Sequence, residues 1–183
     1  MTVLEGRSVR LRPLVPADYR TVHAWYTDPE RVAPFDRFQM EEFDAFVRSV
    51  ETANTDPASL APRFVVERRE VPGAVGAVGY YRAHPVLEYI DVWYLVGDPA
   101  VRGQGLGREA VGLLIDHVFA TETVERVGAA CDVANEPSVR LLQGLGLRRE
   151  GTIASALFHH GAWHDVHLYG VTRAAWSARG RPG

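Results

Sequence analysis

The stretch Asp98-Pro-Ala-Val-Arg-Gly-Gln-Gly-Leu-Gly-Arg108 concentrates the features that bind an anion. Gly103, Gly105 and Gly107 alternate, and Arg102 and Arg108 bracket them. An apolar run, YIDVWYLVG (89–97), precedes the stretch, and a helical pattern, EAVGLLIDHVF (109–119), follows it. A helix N-terminus carries unpaired N–H groups and a partial positive charge. Glycines let the backbone approach a ligand with no Cβ in the way. Phosphate is the natural ligand for such a loop. A Walker loop needs Gly-Lys-Ser/Thr, whereas Gly107 is followed by Arg108-Glu109, so that reading fails. The dinucleotide fingerprint is G-x-G-x-x-G. Here the spacing is G-x-G-x-G, and it lies mid-chain behind several other elements, which is a poor match.

Other side chains could do chemistry. Period-2 alternation places Tyr89, Asp91, Trp93 and Leu95 on one face of an apolar strand. An acid in the middle of such a strand is costly unless it is paired or functional, which singles out Asp91. Glu88 sits nearer the strand start and reads as a solvated end residue. The segment HHGAWHDVH holds His159, His160, His164, Asp165 and His167. His164 and His167 fall on opposite faces of a strand, and no HExxH or CxxC pattern supports them, so no metal is expected. His167 is a further candidate site residue on that strand. Cys131, the single cysteine, sits in an apolar run and reads as a buried thiol.

These residues need elements to position them. SVRLRPL (8–14) alternates as a strand does, and VPADYRTVHAWYTDP (15–29) follows as a helix closed by Pro29. Residues 39–53 form a second amphipathic helix, and 54–62 a loop. The period then changes. Residues 63–70 and 74–84 read as a hairpin, and 87–97 as a third apolar strand. The glycine loop opens a helix over about 105–120, followed by a strand at 126–133. Asn135 is a plausible N-cap for a short helix over 135–146, with Gly146 at its end. A closing hairpin turns around Gly161. The expected fold is α/β, with a mixed sheet.

The chain has 183 residues, the size of one ordinary domain with a real core. Its net charge of -3 lacks the basic excess of a general nucleic-acid binder. No stretch approaches the ~18 apolar residues of a membrane helix. The opening MTVLEGRSVRLRPL has charges where a secretory leader is apolar. With one cysteine there is no internal disulfide, and a cytoplasmic location is expected.

Arg102-x-x-Gly105-x-Gly107 resembles the R/Q-x-x-G-x-G/A signature of the GNAT superfamily of acyl-CoA N-acyltransferases. NEPSVRLLQGLGLRREG is similar to that family's N-x-x-S stretch before its sixth strand. LEGRSVRLRPLVPAD and HGAWHDVHLYGVTR look like the start and the closing strand of the RimJ/RimL-type branch. The resemblance covers nearly the whole chain. It implies one domain over 1–176 with a loose tail at 177–183. It also implies a mostly antiparallel sheet whose fourth and fifth strands (87–97 and 126–133) splay apart around the pantetheine arm of acetyl-CoA. Backbone at Val96, Gly97 and Asp98 would pair with that arm. Amides of Arg102, Gly103, Gln104, Gly105, Leu106, Gly107 and Arg108 would cradle the pyrophosphate, with charge from the two arginines. Asn135 would bind the pantetheine side, in competition with its capping role.

The chemistry needs a neutral amine, a stabilised thioester oxygen and a proton for the leaving thiolate. Many members of the family carry a carboxylate on the fourth strand, so the resemblance implies Asp91 as general base or ammonium anchor. Ser138 is expected to donate to the sulfur, with Tyr169 in reserve. Acceptor specificity would sit in residues 23–38, which hold Trp25, Tyr26, Asp28, Glu30, Phe35 and Asp36. The expected function is acetyl transfer to a small cationic amine or a protein N-terminus. A non-catalytic acyl-CoA sensor and a transferase with another acyl donor stay open at this point. A homodimer is an expectation by analogy alone.

Overall fold

The computed structural model describes residues 3–27, 42–55, 62–84 and 86–179. Strands β1 (Leu4–Glu5) and β2 (Val9–Pro13) lead into helices α1 (Tyr19–Thr27) and α2 (Phe43–Thr55). Then come β3 (Arg63–Arg68), β4 (Ala74–Arg82), β5 (Ile90–Leu95), α3 (Leu106–Thr121) and β6 (Arg126–Asp132). The chain closes with α4 (Glu136–Gly144), β7 (Arg148–His159), β8 (Ala162–Thr172) and α5 (Arg173–Ser177). Pro29, the start of the second expected helix at 39–41 and loop residues 56–61 lie outside the described residues, as do Asp28, Glu30, Phe35 and Asp36.

All eight strands form one sheet in the order β1-β2-β3-β4-β5-β6-β8-β7. Every neighbouring pair is antiparallel except β5–β6. This is the expected mixed, mostly antiparallel α/β sheet, with α3 as the crossover that a parallel pair requires. Two cores cover its two faces. Phe64, Val66, Val78, Ile90 and Val92 pack with Val111, Leu114 and Ile115 of α3 and Leu142 of α4. Val65 and Ala77 point the other way, onto Val22 and Trp25 of α1 and Phe46 and Val50 of α2. Because both faces are covered, β3 and β4 read as continuous apolar runs.

Two elements were not foreseen from the pattern. β1 is too short to show a period, and it exists only by pairing with β2. α5 is held by tertiary contacts. Thr172 Oγ1 accepts the Ala175 N–H at 3.3 Å, and the buried Trp176 donates its indole N–H to Asp116 Oδ1 at 2.7 Å. The Arg179 guanidinium lies 3.2 Å from the centre of the Trp176 ring. Residues 180–183, most of the segment expected to be loose, lie outside the described residues. Among the described residues, no helix is long and apolar enough to cross a membrane.

Candidate active site

The site begins where β5 and β6 part. They pair at only two positions, Ile90 with Val127 and Asp91 with Gly128. Beyond these, β6 pairs along its whole length with β8, and β5 stays on β4. A gap therefore opens through the sheet after Asp91. At its far end β5 bulges. The N–H groups of both Gly97 and Asp98 donate to the Val75 carbonyl, at 3.0 and 3.1 Å, so two residues oppose one. By alternation, Tyr94 and Val96 turn their backbone groups toward the gap. Of the three backbone positions expected to face a cofactor, Val96 turns toward the gap, while Gly97 and Asp98 spend their N–H groups on β4. Gly97 has a packing reason as well. A Cβ there would lie 2.0 Å from the Trp25 ring, so glycine lets α1 close over the bulge.

The glycine loop follows. Asp98 Oδ1 accepts the Ala100 N–H at 2.9 Å and caps a short 3-10 turn over Pro99–Val101. Arg102 Nε donates to the Val96 carbonyl at 3.1 Å, and Gln104 Nε2 to that of Ala100 at 3.1 Å. Gly103 and Gly105 have φ of 76° and 81°, where a Cβ is disfavoured. Gly105 is the N-cap of α3 and brings no side chain to the first turn, so the leading N–H groups of a 16-residue helix face out of the loop. Leu106 contributes backbone to this mouth while its side chain enters the core. An uncapped helix start beside Arg102 fits the pyrophosphate of a coenzyme A thioester. Arg108 points elsewhere. Its guanidinium lies beside Gly144 at the end of α4, where a cation complements the helix dipole.

On the α4 side of the gap, Asn135 caps the helix, its Oδ1 accepting the Ser138 N–H at 3.1 Å. Ser138 is buried, and its hydroxyl hydrogen-bonds the Tyr94 hydroxyl across the gap. It also meets Cys131. Burial pushes that thiol up, the Ser138 contact offsetting it only in part, which suits an inert core cysteine. Tyr169 is wholly buried in the same core, and burial raises its hydroxyl too. His167 lies opposite Cys131, on this side, with Nδ1 2.9 Å from Thr152 Oγ1; it does not share the Asp91 face.

Asp91 lies on the other face, that of α1 and α2. It stands across from Tyr81 on β4. Burial raises its pKa, the nearby Arg126 partly opposes the rise, and Glu150 adds to it. Glu88 is exposed at the strand approach, as expected. Also on this face, the buried Asp132 gathers His159 Nε2 at 2.7 Å and His164 Nδ1 at 3.1 Å. The two rings stack, with centroids 3.8 Å apart and 17° between their planes. The cluster offers one ligand atom from each residue within 4.8 Å of one another, His159 hydrogen-bonded to the carboxylate and His164 at ion-pair distance from it. It pins the β7–β8 hairpin to the end of β6.

Sequence reading missed Tyr94, Arg126, Glu150 and Asp132. Tyr94 shares the parity of Ile90 and Val92, which marks its face. Its contact with Ser138, 44 residues away, is tertiary.

A family model described as an acetyltransferase (GNAT) domain matches residues 8–148. The chain belongs to the GNAT acetyltransferase family. GNAT relatives match along most of the chain. YnaD, an uncharacterized N-acetyltransferase of Bacillus subtilis (strain 168), is 25% identical over 162 residues, covering 87% of this chain and 91% of that protein. Ribosomal-protein-S5-alanine acetyltransferase from Vibrio fischeri superposes with a TM-score of 0.80 at 25% identity, over 96% of this chain and 99% of that one. Spermidine N-acetyltransferase from Vibrio cholerae, solved with CoA and spermine, has the same fold at a TM-score of 0.81 and 20% identity, over 93% and 98% of the two chains. These findings bear out the GNAT resemblance and its RimJ/RimL-type branch. The protein is an N-acetyltransferase, and GNAT enzymes of this fold use acetyl-CoA and an amine acceptor.

Proposed function

We propose that this chain transfers acetyl from acetyl-CoA directly to the primary amine of a small cationic acceptor, with Asp91 as general base and Ser138 as proton donor to sulfur. One observation carries the reading: Asp91 and the Tyr94–Ser138 pair flank the same sheet gap from opposite faces. A thioester held in that gap would meet the amine from the α1/α2 side and release its thiolate on the α4 side. Asp91 takes the ammonium proton as the amine nitrogen bonds to the acyl carbon. Ser138 gives its proton to the sulfur as the C–S bond breaks, the nitrogen loses its second proton to solvent, and solvent reprotonates Ser138 through the Tyr94 hydroxyl. The raised pKa of Asp91 makes it a stronger base than an ordinary carboxylate. The Gly105 mouth and Arg102 hold the pyrophosphate, the Val96 backbone runs beside the pantetheine, and Asn135 offers its Nδ2 while its Oδ1 caps α4.

The acceptor is read as cationic because Asp91, Arg126 and Glu150 together carry one net negative charge on the face it would enter. A protein N-terminus is the second acceptor class, favoured by likeness to the ribosomal-protein enzyme. Thiol release from acetyl-CoA with polyamines, aminoglycosides, amino acids and N-terminal peptides tests the reading. Acceptor-dependent release, strongest with the cationic amines, is the expected result. Asp91→Asn should lower kcat by about 10²–10⁴ with little change in acetyl-CoA affinity. The melting temperature should hold or rise, because the ionised Asp91 is disfavoured by burial. Unchanged kcat in a folded variant removes Asp91 from the role.

A further inference from the structure

Gly128 on β6 and Gly170 on β8 are direct cross-strand partners. Neither has a positive φ, so neither is glycine for the sake of a turn. Together they leave a flat patch of bare backbone, and three charged side chains from three strands lie on it. A Cβ on Gly128 would be 2.2 Å from Asp91 Oδ1 and 2.7 Å from Arg126 Nη1. A Cβ on Gly170 would be 2.4 Å from Glu150 Oε1 and 2.6 Å from Arg126 Nη2. Arg126 thus lies between the two acids. Its Nη2 donates to Glu150 Oε2, and its guanidinium stands 5.0 Å from the centre of the Tyr89 ring. Among the described residues it makes no ion pair with Asp91.

We propose that Arg126 and Glu150 are positioning residues that set the base strength of Asp91. The inference rests on the reading of Asp91 as the base. A carboxylate held in a bidentate arginine pair is a poor base, because the pair favours its ionised form. A half-buried carboxylate with no cation nearby has its pKa lifted further and is ionised over a narrower pH range. Arg126 alone would give the first case, and its loss the second. Glu150 occupies Arg126 and keeps it at an intermediate strength of interaction. The electrostatics run in the same sense: burial lifts Asp91, Arg126 pulls it down, and Glu150 lifts it again. Among the described residues, the other titratable groups facing Asp91 are Tyr81 across on β4, whose hydroxyl burial pushes further up, and Tyr89 ahead of β5.

The test is the pH dependence of kcat/KM in the full chain. Arg126→Met should move the acidic limb upward and Glu150→Gln should move it downward, each by about one unit. Arg126→Lys keeps the charge and should stay close to wild type. Loss of a merely structural ion pair would act alike in both variants and would show in melting curves. Limbs that stay put, or that move the same way, overturn the inference. A carbon-13 titration of the Asp91 carboxyl in the same proteins separates it from the reading beneath it. If the carboxyl titrates as stated while Asp91→Asn keeps full turnover, the tuning stands and the base role falls. If turnover needs Asp91 but neither variant moves its titration, the tuning falls.

Discussion

Gly128→Ala separates catalysis from stability more cleanly than any other single change here. The new Cβ would stand 2.2 Å from Asp91 Oδ1. Carbon–oxygen contacts in proteins bottom out near about 3.3 Å, so the carboxylate must retreat by about 1 Å. A misplacement of about 1 Å at a reacting group lowers the rate about 10²-fold, or about 2.7 kcal/mol at 1.36 per decade. Stability should change much less. Asp91 Oδ1 and Arg126 Nη1 are the free ends of side chains and can swing aside; of the atoms nearest the new Cβ, only the Tyr169 carbonyl, at 3.2 Å, belongs to the backbone. Such mild overpacking costs about 1 kcal/mol, a drop of about 2–4 °C in melting temperature at this chain length. The assay is steady-state thiol release, with acetyl-CoA affinity read separately by calorimetry. A 10²-fold fall in kcat with near-normal affinity and folding is expected. Gly112→Ala on α3, whose Cβ would meet only Leu145 Cδ2 at 3.5 Å, is the control and should leave kcat unchanged. If Gly128→Ala turns over within about threefold of wild type, less than 0.7 kcal/mol, the placement of Asp91 is irrelevant to the reaction and the reasoning fails.

Three further outcomes follow from the geometry. Ser138→Ala and Tyr94→Phe each remove one hydroxyl from the same pair; both should lower kcat, and the double variant should be little worse than Ser138→Ala, a non-additivity that independent roles would not give. Gly105→Ala forces a side chain into a φ of 81°, at about 1–2 kcal/mol, and should weaken acetyl-CoA binding more than it lowers kcat; normal binding by calorimetry would take the mouth of α3 out of the cofactor site. Stability should fall in acid. For Asp18, Glu67 and Asp132, burial raises the pKa but is outweighed, by Arg12 and the Val15 N–H for Asp18, by Arg12 and Arg10 for Glu67, and by the Ala134 N–H and the His159 and His164 rings for Asp132. Their folded pKa values lie below the unfolded ones, so this stabilisation is complete above about pH 4–5 and is lost as the pH falls through the folded values. Urea midpoints that stay flat between pH 6 and pH 3 would contradict it.

Much of this architecture was legible from residue order. The apolar runs of β3 and β4, the alternation in β5, the Asn135 cap and the R-x-x-G-x-G loop are local signals, because a strand's faces, a cap and a glycine's φ depend on near neighbours in the chain. The loop therefore sat where expected, and Asp91 stood out as an acid among apolar residues. The sequence could not say what lies against that acid. Arg126 and Glu150 reach it from two other strands, across a floor made by two glycines 42 positions apart that pair only once β6 meets β8. Nor could it say that Tyr94 would meet Ser138, or that Asp132 would gather two histidines from a distant hairpin. β1 and α5 escaped for the same reason, being too short to hold themselves and formed only by what they pack on. Residue types and local spacing determined the family, the sheet and the anion loop. Strand register, which is long-range and shifts every side chain to the opposite face if displaced by one residue, decided which charges share a surface with Asp91.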